Sequence, residues 1–378
     1  MSSSNKKSSC EDGEREFKLG LRYENGEGVQ QDLFVAVQHY QQAVRHGHVG
    51  AIVKLGKAYQ SGCGISKDQG KAIELFKKAI SNGNSDGMVE LGVCYEKGIG
   101  VKASPDEAMK LYIQAAEKGN GEAMFILGKI HFSGQGVPED KEGGIEWWKQ
   151  ASEHGNLDAM KKMFECFENG DGVEKDDVKA LTYLKKCADK GDKEFMIKLA
   201  WHYEIGDGVD LDLDKAYSLY KGALLNPGNA CQGNEKEKKR VFETWKRMVE
   251  KGHVSSMDLL GLCYEFGYGV KQDKKKAFEL YETAMQKGIL DALYHTGKCL
   301  EEGNGVEADK TRAFECYQKA AESGFVDAMN KTGSCYQLEI GVKQDMEQAY
   351  KWFQKAADDG NSDGMFNVGW CFFNGQGV

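Results

Sequence analysis

Proline is nearly missing from the 378-residue chain. Three prolines stand against 47 glycines, so its backbone breaks come from glycine. That balance suits helices separated by regularly spaced turns. No run of about 18 apolar residues occurs, so no membrane-spanning helix is encoded and no direct membrane insertion is expected. The opening segment, MSSSNKKSSC, carries two lysines but no apolar stretch behind them, unlike a secretory signal. Taking residue 1 as the natural start, the expected location is cytoplasmic, with the nucleus open and thiols reduced. A basic excess is also missing. The 50 Lys and Arg against 59 Asp and Glu leave a net charge of −9, which argues against nucleic acid as a partner.

Catalytic signatures are missing too. The eight histidines are scattered. No His-Glu-x-x-His, nucleophile elbow or Walker lysine occurs. We therefore expect no catalytic residue, no metal and no cofactor.

What is present is a period. Gly-x-Gly-Val or a close variant recurs at Gly26, Gly62, Gly98, Gly134, Gly170 and Gly206, each step 36 residues. It resumes at Gly267, Gly303 and Gly375 in the same register, with a degenerate copy around Glu339-Ile340-Gly341-Val342. Between the two series lies one step of 61, a surplus of 25. Each period holds two amphipathic segments. The first is typified by AMFILGKIHFSG (123–134), the second by DEAMKLYIQAAEKG (106–119). The unit is helix A, a Gly-x-Gly-Val turn, helix B and a Gly turn. Asp32, Asp68, Asp140, Asp176, Asp212, Asp273, Asp309 and Asp345 fall where helix B needs an N-cap. Repeat three offers Ser104-Pro105-Asp106-Glu107, read as Ser cap, Pro in the first turn and a capping-box Glu. Gly20, Gly56, Gly92, Gly128, Gly261, Gly297, Gly333 and Gly369 lie inside helix A. Each costs about 1 kcal/mol against Ala, which implies close helix–helix contact there.

The series LGxxY, GxGV, D and KAxxxYxxAAxxG at a 36-residue step resembles the Sel-one-like repeat family, a relative of the tetratricopeptide repeat. It covers about residues 14–378, with nine complete units and helix A of a tenth. We read an all-α, right-handed superhelical solenoid of stacked helix-turn-helix repeats. Residues 1–13 form a disordered tail and 14–225 repeats one to six. Residues 226–252 are an insertion with an extra B-type helix, and 253–378 are repeats seven to ten, the last incomplete. The resemblance implies a scaffold or adaptor binding a protein or peptide, with helix A lining the concave face. Some members instead serve as regulatory or activator subunits of a membrane-associated enzyme or a degradation complex. A hydrolase is a remote third reading.

With a recurrence of ten, Gly98-Ile99-Gly100 is a turn between helices; a dinucleotide site would follow a strand. Cys94, Cys166, Cys263, Cys299, Cys335 and Cys371 share one helix-A position and read as small apolar core filler. Cys187 resembles a position that secreted, cysteine-rich members use to staple helix B to the next helix A, but the following helix has no cysteine to pair with it. Cys10, Cys63 and Cys231 fall in tail or loops.

Counting the helix-A glycine as zero, position −4 is methionine in seven repeats and reads as core. Positions −3, +1 and +4 form a second, variable stripe. They supply Phe125, Lys129 and Phe132 in repeat four, and Trp201 and Glu204 in repeat six. Repeat eight supplies Tyr294, Lys298 and Glu301, and repeat ten Phe366, Trp370 and Phe373. These are the candidate partner contacts; the alternative is that they pack beneath a neighbouring layer. Position +4 also holds Glu24, Glu96, Glu168, Glu204, Glu265 and Glu301. Such a row would favour a basic partner, or be ordinary solvated glutamate. In the insertion, Val241, Trp245 and Met248 repeat the B pattern, so two B-like helices occur without an A helix between them. They disturb the stacking, or form a tolerated surface insertion. The chain stops at Gly375-Gln376-Gly377-Val378 with no polar cap, so either the natural protein continues or this end docks onto something.

Overall fold

A computed structural model of the chain describes residues 3–225 and 234–377. The described residues hold twenty α-helices and no strand. They divide into two units, Met1–Lys190 and Gly191–Val378, each an all-α repeat solenoid. In unit one the A helices are α1 (Ser3–Asn25), α3 (Val49–Ser61), α5 (Ser85–Lys97), α7 (Gly121–Ser133) and α9 (Leu157–Asn169). Its B helices are α2 (Leu33–Arg45), α4 (Gln69–Ser81), α6 (Pro105–Glu117), α8 (Lys141–Glu153) and α10 (Asp177–Asp189). In unit two the A helices are α11 (Lys193–Ile205), α14 (Ser256–Phe266), α16 (Leu290–Glu302), α18 (Val326–Leu338) and α20 (Ser362–Asn374). Its regular B helices are α12 (Leu213–Leu224), α15 (Lys274–Gln286), α17 (Lys310–Glu322) and α19 (Met346–Asp358), and the insertion adds α13 (Glu235–Glu250). The segment 1–13, read as a disordered tail, is helical from Ser3 onward.

The helix ends follow the cap chemistry. Each aspartate at the B-helix start accepts a backbone N–H of the first turn, as Asp68 does from Lys71 at 3.0 Å. One such cap stabilises by about 1 kcal/mol. Ser104 caps α6 from the Glu107 N–H at 3.4 Å, with Pro105 opening the helix. Glu107 itself turns to Lys110 at 2.7 Å instead of closing a capping box. The only capping box among the described helices is at α13, between Asn234 and Glu237. A-helix caps also tie repeats together. Asn120 caps α7 and donates its side-chain N–H to Asp86 of the preceding A helix at 2.8 Å. Asn156 reaches Glu122 in the same way, and in unit two Asn361 reaches Asp327, both at 3.0 Å.

The core rests on one contact. Twenty residues after seven of the eight helix-A glycines, an aromatic ring of helix B lies against that glycine's bare backbone. Tyr40, Phe76, Tyr112, Trp148, Tyr281, Tyr317 and Phe353 all do this, and a Cβ on the glycine would meet the ring within 3.0 Å. Most of these rings are almost fully buried. Repeat five inverts the arrangement. Phe164 stands in the glycine position and the smaller Leu184 in the aromatic position, both buried, so the bulk has moved from helix B to helix A. The methionines at −4 and the cysteines at +2 fill the space around these contacts, except Met365, which is exposed. Burial raises the Cys94 and Cys166 thiols to about 11 and those of Cys299 and Cys335 to about 12, as inert filler requires. Cys63 is exposed, while Cys231 and the side chain of Cys10 lie outside the described residues.

The insertion belongs to the core rather than the surface. In a regular repeat helix B has two tasks. It sets its ring on its own helix A, and its first turn receives the second glycine of the next Gly-x-Gly turn. Thus Gly305 lies against the Lys274 carbonyl and Gly341 against that of Lys310. In repeat six the tasks are divided. The Tyr220 ring of α12 is buried within its hairpin with Ala200, while the first turn of α13 receives Gly269 at Lys238. Helix α13 sends Val241, Phe242, Trp245 and Met248 into the unit-two core beside Leu259, Leu260 and Cys263. The residues 226–233 that join α12 to α13 lie outside the described residues.

Two glycines separate packing from propensity. Gly92→Ala would place a methyl 2.6 Å from the Tyr112 ring and should cost about 1–3 kcal/mol of stability. Gly369→Ala meets nothing within 4 Å and should gain up to about 1 kcal/mol. Chemical unfolding of both variants tests this; equal effects would mean the ring-on-glycine contact is loose. Glu339 is the only described non-glycine residue with positive φ, at 58°, where the other turns have glycine. Glu339→Gly should stabilise by about 1 kcal/mol, read in the same assay.

Candidate functional site

Five of the six +4 glutamates are turned to their own hairpins and are not a row offered to a partner. Sixteen residues after each of these stands a helix-B tyrosine whose hydroxyl donates to the carboxylate. Tyr112 to Glu96, Tyr220 to Glu204, Tyr281 to Glu265 and Tyr317 to Glu301 are each 2.7 Å, and Tyr40 pairs with Glu24 likewise. A hydrogen bond to a charged acceptor contributes about 1.5–3 kcal/mol. A cation from the next A helix completes some of these groups. Lys54 reaches Glu24 and Lys331 reaches Glu301, each at 2.9 Å and each 30 residues later. Glu168, whose counterpart is Leu184, stays exposed. The expectation of a basic partner drawn along a glutamate row therefore loses its support.

Glu204 is the extreme case, 1% exposed. The inserted helix supplies its cations: Arg247 donates from Nε at 2.7 Å, and Lys251 Nζ lies 3.0 Å away. Burial pushes this carboxyl up, but the hydrogen bonds from Arg247, Tyr220 and Lys251 outweigh burial and hold it below its ordinary 4.5. Glu204 is thus a structural anchor for α13 and not a partner contact.

The remaining candidates divide as follows. Phe125 is buried; its carbonyl accepts the Trp148 indole N–H at 3.2 Å, and the Lys129 ammonium lies 4.9 Å from its ring. Tyr294 is half-buried between Tyr317 and Phe325, at ring distances of 5.7 and 5.4 Å. Lys298 sits part-buried on the same helix. Trp201 is 47% exposed on α11, edge-on to His202. Phe366, Trp370 and Phe373 are exposed on α20, where no helix B covers Gly369, so their exposure follows from that uncovered face. The three residue types of a hydrolytic triad do meet once. His253 bonds Ser256 through Nδ1 at 2.8 Å and Asp214 through Nε2 at 3.1 Å. Ser256 is fully buried, so this cluster ties α12 to α14 and offers no nucleophile.

Lys129 and Phe132 are the two candidates the structure brings to one cavity. A groove of about 430 Å³ opens between α7 and α9, with Asp171 of the following turn in its lining. Repeat four breaks the Tyr–Glu register here: phenylalanine stands at 132 and tryptophan at 148. The Phe132 ring is half-buried and lies 4.7 Å from the Trp148 ring, with Lys141 Nζ 5.3 Å from its centroid. Gly144 makes room for Phe132, since a Cβ there would come within 2.7 Å of it. Trp148 and Cys166 form the floor. Lys162, Glu165, Asn169 and Asp171 line the α9 wall, and Ser133 and Gln135 the opposite rim. Lys162 pairs with Glu165 at 2.6 Å, and Lys141 with Asp171 at 2.8 Å. Sequence reading found Lys129 and Phe132 from their variable stripe. It missed Trp148 and Lys162. Gln60 with Phe76 and Gln337 with Phe353 also depart from the Glu–Tyr spacing, and what marks repeat four is that both members, Phe132 and Trp148, are aromatic.

A family model described as Sel1 repeat matches residues 16–48, 49–84, 85–120, 121–156, 157–192, 193–223, 254–289, 290–325, 326–361 and 362–378. No curated protein sequence matches the chain. Among solved structures, a protective antigen of uropathogenic Escherichia coli with an SLR fold is 26% identical. That match covers 98% of this chain and 90% of the other, with a TM-score of 0.44. A Sel1 repeat protein from Oxalobacter formigenes is 26% identical over 88% of this chain and 90% of its own, with a TM-score of 0.35. An immunity protein from Pseudomonas aeruginosa is 24% identical over 55% of this chain and 80% of its own, with a TM-score of 0.43. Among the described residues no helix is long and apolar enough to cross a membrane, and no cluster of His, Cys, Asp or Glu could hold a metal ion.

The role assigned to Glu204 has a pH signature. Arg247→Met should cost about 2 kcal/mol at pH 7, Lys251 remaining as a cation. A depressed carboxyl contributes stability that is present above its unfolded pKa and lost as pH falls through its folded one. The gap between variant and parent should therefore shrink in acid. Urea unfolding at pH 7 and pH 3 measures it; an undiminished gap at pH 3 would show that Arg247 acts by packing alone.

Proposed function

The chain belongs to the Sel1 repeat family, whose members generally mediate protein–protein interactions and are typically non-catalytic, and from that premise we propose that it is an adaptor gripping a polypeptide in the α7–α9 groove. One observation carries the reading. Everywhere a tyrosine faces the +4 position, the protein fills that position with its own glutamate. Where a phenylalanine does, in repeats two and nine, glutamine stands there, as Gln60 and Gln337; repeat four instead sets a half-buried phenylalanine over a buried tryptophan beside a cavity. Apolar side chains in a pocket with a polar rim are the usual anchors of recognition. The flanking lysines and the amides of Gln135 and Asn169 supply orienting contacts around that anchor. The surrounding helices are regular and capped, so the groove is rigid before a partner arrives, which lowers the entropic cost of binding.

The test closes the groove without dismantling the fold. Phe132→Glu with Trp148→Tyr rewrites repeat four in the Glu96–Tyr112 register and puts the protein's own carboxylate into the cavity. Peptides enriched from a random 12-residue display library on the parent should bind this double variant at least tenfold more weakly, while its unfolding midpoint stays within a few degrees. Equal binding to both proteins would remove the groove from the proposal. Phe366→Ala in α20 is the control and should change nothing.

A further inference from the structure

Internal comparison of the repeats indicates what the groove takes. Lys162 stands 30 residues after Phe132, the interval that separates Lys54 from Glu24 and Lys331 from Glu301. In both of those pairs the lysine meets a carboxylate at 2.9 Å, fixed by a tyrosine or tyrosine-bonded network behind it. At repeat four the lysine is kept and the carboxylate is not. Lys162 turns instead to Glu165 on its own helix, one turn away, and both side chains are more than 40% exposed. An exposed pair of this kind contributes little to stability, so an incoming group can replace it at little cost.

We propose that the groove recognises an acidic side chain of its partner: an aspartate or glutamate that binds Lys162 as Glu24 and Glu301 bind Lys54 and Lys331, next to an apolar residue that packs on Phe132. This deepens the adaptor reading and rests on it. The local charge agrees. Asp171 is held by Lys141 and Glu165 by Lys162, while Lys129 stands exposed on the opposite wall, 4.9 Å from the Phe125 ring. Lys129 and Lys162 thus line the groove with Glu165 and Asp171, and Lys141 at its edge neutralises Asp171, on a chain of net charge −9. The apolar floor lowers the local dielectric, which strengthens a lysine–carboxylate contact made inside the groove compared with one on open surface. The repeats' own template is a carboxylate, which favours an acidic polypeptide over a phosphate-bearing nucleic acid.

Display selection decides it. Random 12-residue peptides are panned on the full chain in parallel with the Lys162→Met variant, which keeps Phe132 and Trp148. The parent should enrich Asp or Glu beside an aromatic or aliphatic residue, and the variant should lose the acid and keep the apolar residue. The most enriched peptide, measured by fluorescence anisotropy, should bind the parent about tenfold more tightly than its Glu→Gln version. It should bind Lys162→Met no more tightly than that version does. Enrichment of Lys or Arg, or equal affinity of the acidic and amide peptides, overturns the acidic preference. The groove then still stands if Phe132→Glu with Trp148→Tyr abolishes binding. A 12-nucleotide single-stranded RNA that outcompetes the peptide overturns the preference as well. Failure to enrich any peptide sensitive to the double variant removes the groove and the preference together.

Discussion

The structure depends on an aromatic ring resting on a glycine. Helix A can approach helix B closely only where it has no side chain, and helix B uses that opening to bury a tyrosine, phenylalanine or tryptophan. The contact fixes the rotation of both helices within the hairpin and hence the direction in which every other position points. Its two exceptions obey the same volume rule. Phe164 with Leu184 moves the bulk to the other helix, and Ala200 takes Tyr220 with a slightly larger residue in the glycine position. A core built from one repeated contact tolerates changes that conserve its total volume.

Fixing the rotation also fixes where the +4 residue lies, which is beside the tip of the aromatic ring. A buried tyrosine hydroxyl needs an acceptor, and the glutamate supplies it. In three repeats the carboxylate also holds a cation: a lysine from the next A helix for Glu24 and Glu301, and Arg247 and Lys251 from α13 for Glu204. The inserted helix is held by this pairing as much as by its apolar face. It takes over half the work of a B helix, and Glu204 binds it to the hairpin it serves. Where phenylalanine and tryptophan replace the glutamate and tyrosine, the demand disappears and a cavity is left with a lysine at its wall. The candidate site is thus a local departure from the rule that organises five of the repeats.

Sequence by itself determined the period, the alternation of A and B helices, the caps and the family, because each depends on contacts a few residues apart or on a fixed 36-residue step. Glycine positions, cap aspartates and the 25-residue surplus were legible for that reason. It also placed Lys129 and Phe132 on a variable stripe. Tertiary structure decided which of the stripe's residues are available. The glutamates looked like a charged row because helical periodicity reports a face and not the group opposite it. Only the packed hairpin brings a tyrosine hydroxyl 16 residues away onto each of five of them, and only the stacked layers put Lys162 across from Phe132. Such pairings depend on the rotation and separation of helices, which close packing sets and no local propensity encodes.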